Sequence, residues 1–367
     1  LAIPMRIGGW VAAKVAMALI AAATAAATAW VAIRRLRVEP RVAAVVTAAC
    51  FCAPPLVAYA TQVYPAMPAA LAVVVGFGAV TGSLRPVGVI ATITAVVALP
   101  WLSVKYAPLA AVLAVWLLVR LWLVRPRLAM AIGGVLSAAG AAYLALHRGI
   151  YGGWTVYAAG DHFTGGEFEV VGRSPNYAGR TRRVVGLLVD RGFGLIAWNP
   201  AYIAAVPALA FWARGRRGHH VLALCLAAAS WAVATWMALT MHGWWWPGRQ
   251  VVPVVPILVI ALADLADRSR RLAMTIVGAS VAATTSWLWL AIEASTDRRT
   301  LIVDFEQTAA PVYRLTRLLL PDHRAMDTID VVLTWSWIFV LVGLAAWAWS
   351  AARQPASRMP SPATTRR

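Results

Sequence analysis

Charge is scarce in this chain, and negative charge is scarcest: 14 acidic residues stand against 33 basic ones in 367 residues, with 13% charged overall. That scarcity, beside 61% apolar residues, excludes a disordered chain and an ordinary soluble domain. Cysteine is nearly absent. Cys50, Cys52 and Cys225 all fall in apolar runs, and the first two point to different faces of one helix. No disulfide framework or zinc spacing follows, so they are expected to be packing residues. No period of about 20–50 residues repeats, which removes a solenoid and the inverted-repeat signature of many transporters. The formal charge of +19 does not point to nucleic acid, because the basic residues lie between apolar runs.

Long apolar runs fill the space that charge leaves. Segments of roughly membrane length fall near 10–33, 42–60, 66–82, 87–102, 107–124, 128–147, 200–213, 221–241, 250–266, 272–291 and 330–350. The expected fold is all-α: a polytopic helical bundle of about eleven spans in a lipid bilayer. Two segments are weak, 87–102 because of Pro100 and 200–213 because it is short. Residues 1–350 form one transmembrane domain, and 351–367 a disordered basic tail rich in Pro, Ser, Thr and Arg.

Orientation follows from the arginines. Arg34, Arg35, Arg37 and Arg41, then Arg85, then Arg120, Arg125 and Arg127 mark one side of the bundle. Arg214, Arg216 and Arg217, then Arg268, Arg270 and Arg271 continue it, with the tail. Short basic connections mark the cytoplasmic side of a plasma membrane, which places the C-terminus inside. All acidic residues except Glu39, Asp264 and Asp267 fall on the other side. The two long loops there, 148–199 and 292–329, are expected outside, with interfacial helices near 182–188 and 312–320. Parity also puts Leu1 outside, so an N-terminal helix and its outer loop are expected ahead of this sequence.

The first long loop is rich in Gly, aromatics, charges and amides, and reads as part of a working surface. Within it Asp161, His162, Glu167 and Glu169 lie within reach of one another, as solvated charges or as ligands for a divalent cation or polar acceptor. A second outer signal is the turn from Met241 to Arg249, with Trp244, Trp245 and Trp246 in a row. The tryptophans suit an aromatic belt. Arg249 opens a helix on the side where orientation gains nothing from it, and a guanidinium clamps phosphate bidentately. Gly248 beside it would let a ligand approach the backbone. A third outer turn holds Lys105 and Tyr106 between Pro100 and Pro108. Alone, Lys105 is a snorkelling side chain; with Arg249 it makes a two-cation phosphate site. Asp304, Glu306, Asp322 and Asp327 read as solvated, His219 and His220 as surface residues, and Lys14 as snorkelling.

The order of these pieces resembles the bacterial multi-pass glycosyltransferases of the GT-C superfamily, in the protein-mannosyltransferase-like (family 39) branch. The pieces are Pro54-Pro55 through Tyr64-Pro65, Leu99-Pro100-Trp101 with Lys105-Tyr106, Gly192-Phe193-Gly194-Leu195 with Asn199-Pro200, and Trp244–Trp246 with Pro247-Gly248-Arg249. The resemblance covers residues 8–265. It implies a cell-envelope enzyme that takes a sugar from a polyprenyl-phosphate donor and transfers it to a hydroxyl at the outer face. Arg249 and Lys105 would hold the leaving phosphate, with Tyr106 and His162 nearby, and the sugar would pack on Trp244 or Trp245. The catalytic carboxylate of the family lies in its first outer loop. This chain has no acidic residue before Glu39, so the catalytic group is unassigned, with Asp161 and Glu167 as fallbacks. Two other readings stay open: a transporter or flippase of a lipid-linked saccharide, and a non-catalytic membrane assembly protein.

Overall fold

The computed structural model describes residues 2–159, 174–243, 245–302 and 304–351. Among these every regular element is helical. In chain order they are α1 (Ala2–Val31), α2 (Pro40–Phe51), α3 (Leu56–Thr61), α4 (Ala66–Val80), α5 (Pro86–Leu102), α6 (Ala107–Trp122) and α7 (Pro126–Tyr151). The first long loop carries α8 (Tyr177–Arg180), α9 (Arg183–Val189) and α10 (Leu195–Trp198). Then come α11 (Ala205–Gly215), α12 (Gly218–Ala232), α13 (Val255–Ala266), α14 (Arg270–Ser295), α15 (Pro311–Leu318) and α16 (Thr328–Ala351).

Among the described residues six helical stretches are long and apolar enough to cross a membrane: Ala2–Leu36, Val104–Trp122, Pro126–Ala159, Gly218–Met237, Arg270–Ser295 and Thr328–Ala351. Pro40–Phe51, Ala66–Val80, Pro86–Leu102 and Val252–Ala266 are apolar but shorter. The difference from the expected eleven has visible causes. The 42–60 segment breaks after Phe51 and resumes as α3 at Leu56, around Pro54 and Pro55. Segment 200–213 opens as a 3-10 turn at Pro200, because Asn199 in extended backbone caps it through Oδ1 and the Ala201 N–H. Pro100 does not interrupt α5. It sits in the last turn, where only one backbone bond is lost, and the helix runs to Leu102.

The centre pole is α13. It is apolar all round, and every residue except Asp264 is buried. Around it stand α1, α2, α4, α11 and α14. Without a hydrophobic drive between helices in lipid, close packing carries the association. Accordingly α4 approaches its neighbours through glycines: a β-carbon at Gly78 would fall 2.7 Å from Val31, and one at Gly76 2.9 Å from Leu113. At the rim, α16 shows lipid-facing side chains such as Trp335, Phe339 and Val342. Lys14 is on the exposed side of α1, as expected of a snorkelling residue.

Two ends of the bundle differ in character. The basic connections gather at one. Arg35 Nε donates to Gly78 O (2.8 Å), Arg120 to Gly82 O (2.8 Å), and the Glu39 N–H to Asp267 (3.2 Å). The long loops and the 238–251 turn gather at the other. The cysteines do not share one environment: Cys50 is buried, 3.6 Å from Ser280 Oγ, but Cys52 and Cys225 are exposed. Cys52 lies just past the end of α2, and Cys225 on the outer side of α12, so neither packs the core.

Candidate functional site

The α5–α6 turn raises Lys105 on a short 3-10 segment, Val104–Tyr106, that follows an extended Ser103. Opposite it, Gly248 at φ 81° turns the chain, and its carbonyl accepts from the Val251 and Val252 N–H groups before the chain enters α13. Arg249 rides on that turn. Lys105 Nζ lies 6.0 Å and Arg249 Cζ 4.5 Å from the centroid of the Tyr64 ring. The two cations are therefore no further apart than those distances combined. Arg249 also stands 4.5 Å over Trp245, and Lys105 5.2 Å over Tyr106 while donating to Gln250 Oε1 (3.2 Å). Neither has a carboxylate partner among the described residues, and Arg249 Nε is buried with no acceptor there. Even at the largest separation allowed, two such charges repel by roughly 1.5 kcal/mol at an effective dielectric of about 20. An anion between them reverses that sign.

A second cluster adjoins the first. Asp190 closes α9, and its Oδ1 accepts from the Gly192 (3.0 Å) and Phe193 (2.6 Å) N–H groups in an Asx turn. Its Oδ2 accepts from the His323 N–H (3.0 Å) and faces His242 Nε2 at 3.2 Å and His323 Nδ1 at 3.3 Å. Burial pushes the Asp190 carboxyl up, but the His242 and His323 hydrogen bonds and the Phe193 amide outweigh it and hold it well below the carboxylate range. Asp190 is therefore a fixed negative charge. Glu306 differs: burial pushes it up, the Arg324 guanidinium 2.9 Å away offsets part of this, and Asp190 adds to the rise.

His242 lines a cavity of about 230 Å³ together with Arg182, Arg183, Thr240 and His323. Arg182 and His323 also line a neighbouring apolar cavity of about 530 Å³, between α9 and α16 against Val331, Trp335 and Ile338. One indole links the His242 cluster to the cation pair, since the Trp245 ring packs on Gly243 and carries Arg249 on its face.

Beneath both clusters lies an aromatic block. Trp198 stacks on Tyr313 (3.9 Å, 15°), and Trp246 packs on Trp198 (4.7 Å), Phe305 (5.2 Å) and Trp287 (5.1 Å). Tyr59 Oη donates to Trp246 O at 2.6 Å, and Trp198 Nε1 to Gly192 O at 2.8 Å. Arg191 ties the same loop to α16 through Asp330 (3.2 Å).

Of the residues expected at the site, Lys105, Tyr106, Trp245 and Arg249 come together. Asp161, His162, Glu167, Glu169 and Trp244 lie outside the described residues. Gly248 is approached by protein rather than left open: a β-carbon there would meet Pro55 and Leu195 at 3.1 Å. Glu306 is not solvated but half-buried and ion-paired, and Asp304 accepts from the Thr300 N–H at 2.6 Å. His220 is buried, stacked on Trp212. Asp190, His242 and His323 were not foreseen as a unit. Among the described residues no group of three His, Cys, Asp or Glu has metal-holding geometry. No protein-family profile, no curated protein and no solved structure matches this chain.

Proposed function

We propose that this chain is a membrane glycosyltransferase of the GT-C kind, taking a sugar from a polyprenyl-phosphate donor at the outer face of a plasma membrane. On this reading the chain crosses the bilayer eleven times, short helices included, with its basic end and C-terminus in the cytoplasm. The observation that carries it is the meeting of Lys105 and Arg249 on Tyr64 with no carboxylate partner for either among the described residues. A lipid phosphate seated there satisfies the buried Arg249 Nε and gains as charge develops on the leaving group. The apolar cavity against α16 suits a prenyl chain, and the half-buried Trp245 indole a sugar ring.

Among the described residues His242 is the group best arranged to take a proton from the acceptor hydroxyl. Its Nε2 faces a buried, permanently charged Asp190, which orients the ring and stabilises the imidazolium that forms, and the ring borders an open cavity. Asp190 itself is too acidic and too fully bonded for that role.

The test is transfer of radiolabelled sugar from polyprenyl-phosphate donors by membranes carrying the chain. Arg249→Ala and Lys105→Met should each lower transfer by about 10²-fold or more. Wild-type activity in both variants would remove the phosphate site, and no transfer from any donor by the intact chain would remove the enzyme reading.

A further inference from the structure

At the basic end, α11 stops at Gly215, Arg216 adopts left-handed backbone (φ 45°, ψ 24°), and Arg217 leads directly into α12. This tight reversal wraps a cavity of about 570 Å³ lined by Arg214, Arg216, Arg217, Arg268, His220 and Asp264. Four guanidinium groups thus face one carboxylate. That carboxylate is already engaged, because Asp264 Oδ2 accepts from Trp212 Nε1 (2.9 Å) and from Arg268 (3.1 Å). Orientation in the membrane accounts for arginines at this end, but it does not require them to border one cavity.

A second observation points to a ligand. His220 is only 5% exposed and stacks on Trp212 (5.0 Å, 7°), yet its Nδ1 has no partner among the described residues. That nitrogen faces Gly215 at the bend. In addition α12 begins without a side-chain cap, so its first amides, which follow the cavity-lining Arg217, are not satisfied by any side chain. A buried imidazole nitrogen, uncapped helix amides and surplus guanidinium groups share one complement.

We propose that this cavity binds a phosphate-type anion, as a lipid headgroup or a free phosphate compound. Arginine forks grip two phosphate oxygens, and His220 Nδ1–H and the α12 amides suit the remaining ones. Trp349 of the rim helix α16 closes one wall beneath Arg214 (5.3 Å), so the opening adjoins the bilayer and favours a headgroup. The site lies at the opposite end from Lys105 and Arg249 and does not rest on the transferase reading.

The test uses the full chain purified in detergent and phosphate-free buffer. Retention of phosphatidylglycerol is read by native mass spectrometry, and binding of inorganic pyrophosphate by calorimetry. R216Q/R217Q should weaken binding about tenfold or more. His220→Phe keeps the stack on Trp212 and should weaken it too. The control R34Q/R37Q removes the same charge from exposed positions at the same end, outside the cavity lining, and should leave binding intact. Retention of the lipid identifies a headgroup, and binding of pyrophosphate alone identifies a soluble phosphate; both support the site. Binding of neither probe, or equal losses in R34Q/R37Q and R216Q/R217Q, overturns it.

Discussion

The two ends of the bundle use charge in opposite ways. At the end with the long loops, negative charge is buried and saturated: Asp190 collects two backbone amides, a further amide from His323 and an imidazole, and Asp330 collects Arg191 and two backbone amides. At the basic end positive charge is in excess, and among the described residues Asp264 has one ion pair, with a 40%-exposed Arg268. Carboxylates build structure where they are buried and numerous. Where they are scarce, cations are left to meet something from outside the protein. The pair Lys105 and Arg249 is the exception that makes the loop end interesting, since it is a cation surplus set inside the carboxylate-rich cap.

The largest expected effect sharpens that exception. His242→Ala should lower sugar transfer by about 10²–10⁴-fold while donor binding, read by retention of polyprenyl-phosphate sugar, stays within a few-fold. Equal loss of both would make His242 a binding or structural residue.

Asp190→Asn breaks the saturated carboxylate and should cost about 3 kcal/mol in thermal unfolding in micelles, because the His242 imidazole and three amides lose a charged acceptor. The acid limb should change with it. The folded-state pKa of Asp190 lies below its unfolded value of about 3.9, so its stabilisation is full at neutral pH and fades as pH falls below that value. The asparagine variant should lose that portion of acid sensitivity. An unchanged limb between about pH 5 and 3 would show that the charge does not hold the cap.

Gly248→Ala places a side chain at φ 81° against Pro55 and Leu195, and should cost about 1–2 kcal/mol. Its melting temperature should fall accordingly. The smallest effect belongs to the other end: Arg268→Gln removes a half-exposed pair and should cost under about 1 kcal/mol. A loss as large as that of Asp190→Asn would erase the contrast between the ends.

How much of this was legible beforehand follows from sequence distance. The apolar stretches are local patterns and most fall on helices, although 42–60 breaks around Pro54 and Pro55 and six stretches, not eleven, are long and apolar enough to cross a membrane among the described residues. Lys105 and Arg249 were each conspicuous as a lone cation in an outer turn, so pairing them needed only the assumption of a shared face. Asp190, His242 and His323 gave no such signal. Asp190 and His242 are 52 residues apart and Asp190 and His323 133, and each reads alone as a polar loop residue. Nothing in a single sequence fixes how two loops interleave. His220 departs from its expected place for a related reason: a basic connection predicts exposure, but Trp212, eight positions upstream, meets its ring only through the bend at Arg216.

The aromatic block under the loops has an optical consequence. Rings locked at fixed angles, such as Trp198 on Tyr313 and Trp246 on Trp287, give near-ultraviolet circular dichroism that disappears when tertiary packing loosens, while helical far-ultraviolet signal persists. Other fixed rings contribute too, such as Trp212 on His220 at the basic end, so the part of the signal lost in Trp246→Phe is the part that reports on the cap. Watching that part during a temperature ramp would show whether the loop end lets go before the helices beneath it, with no label attached to the protein.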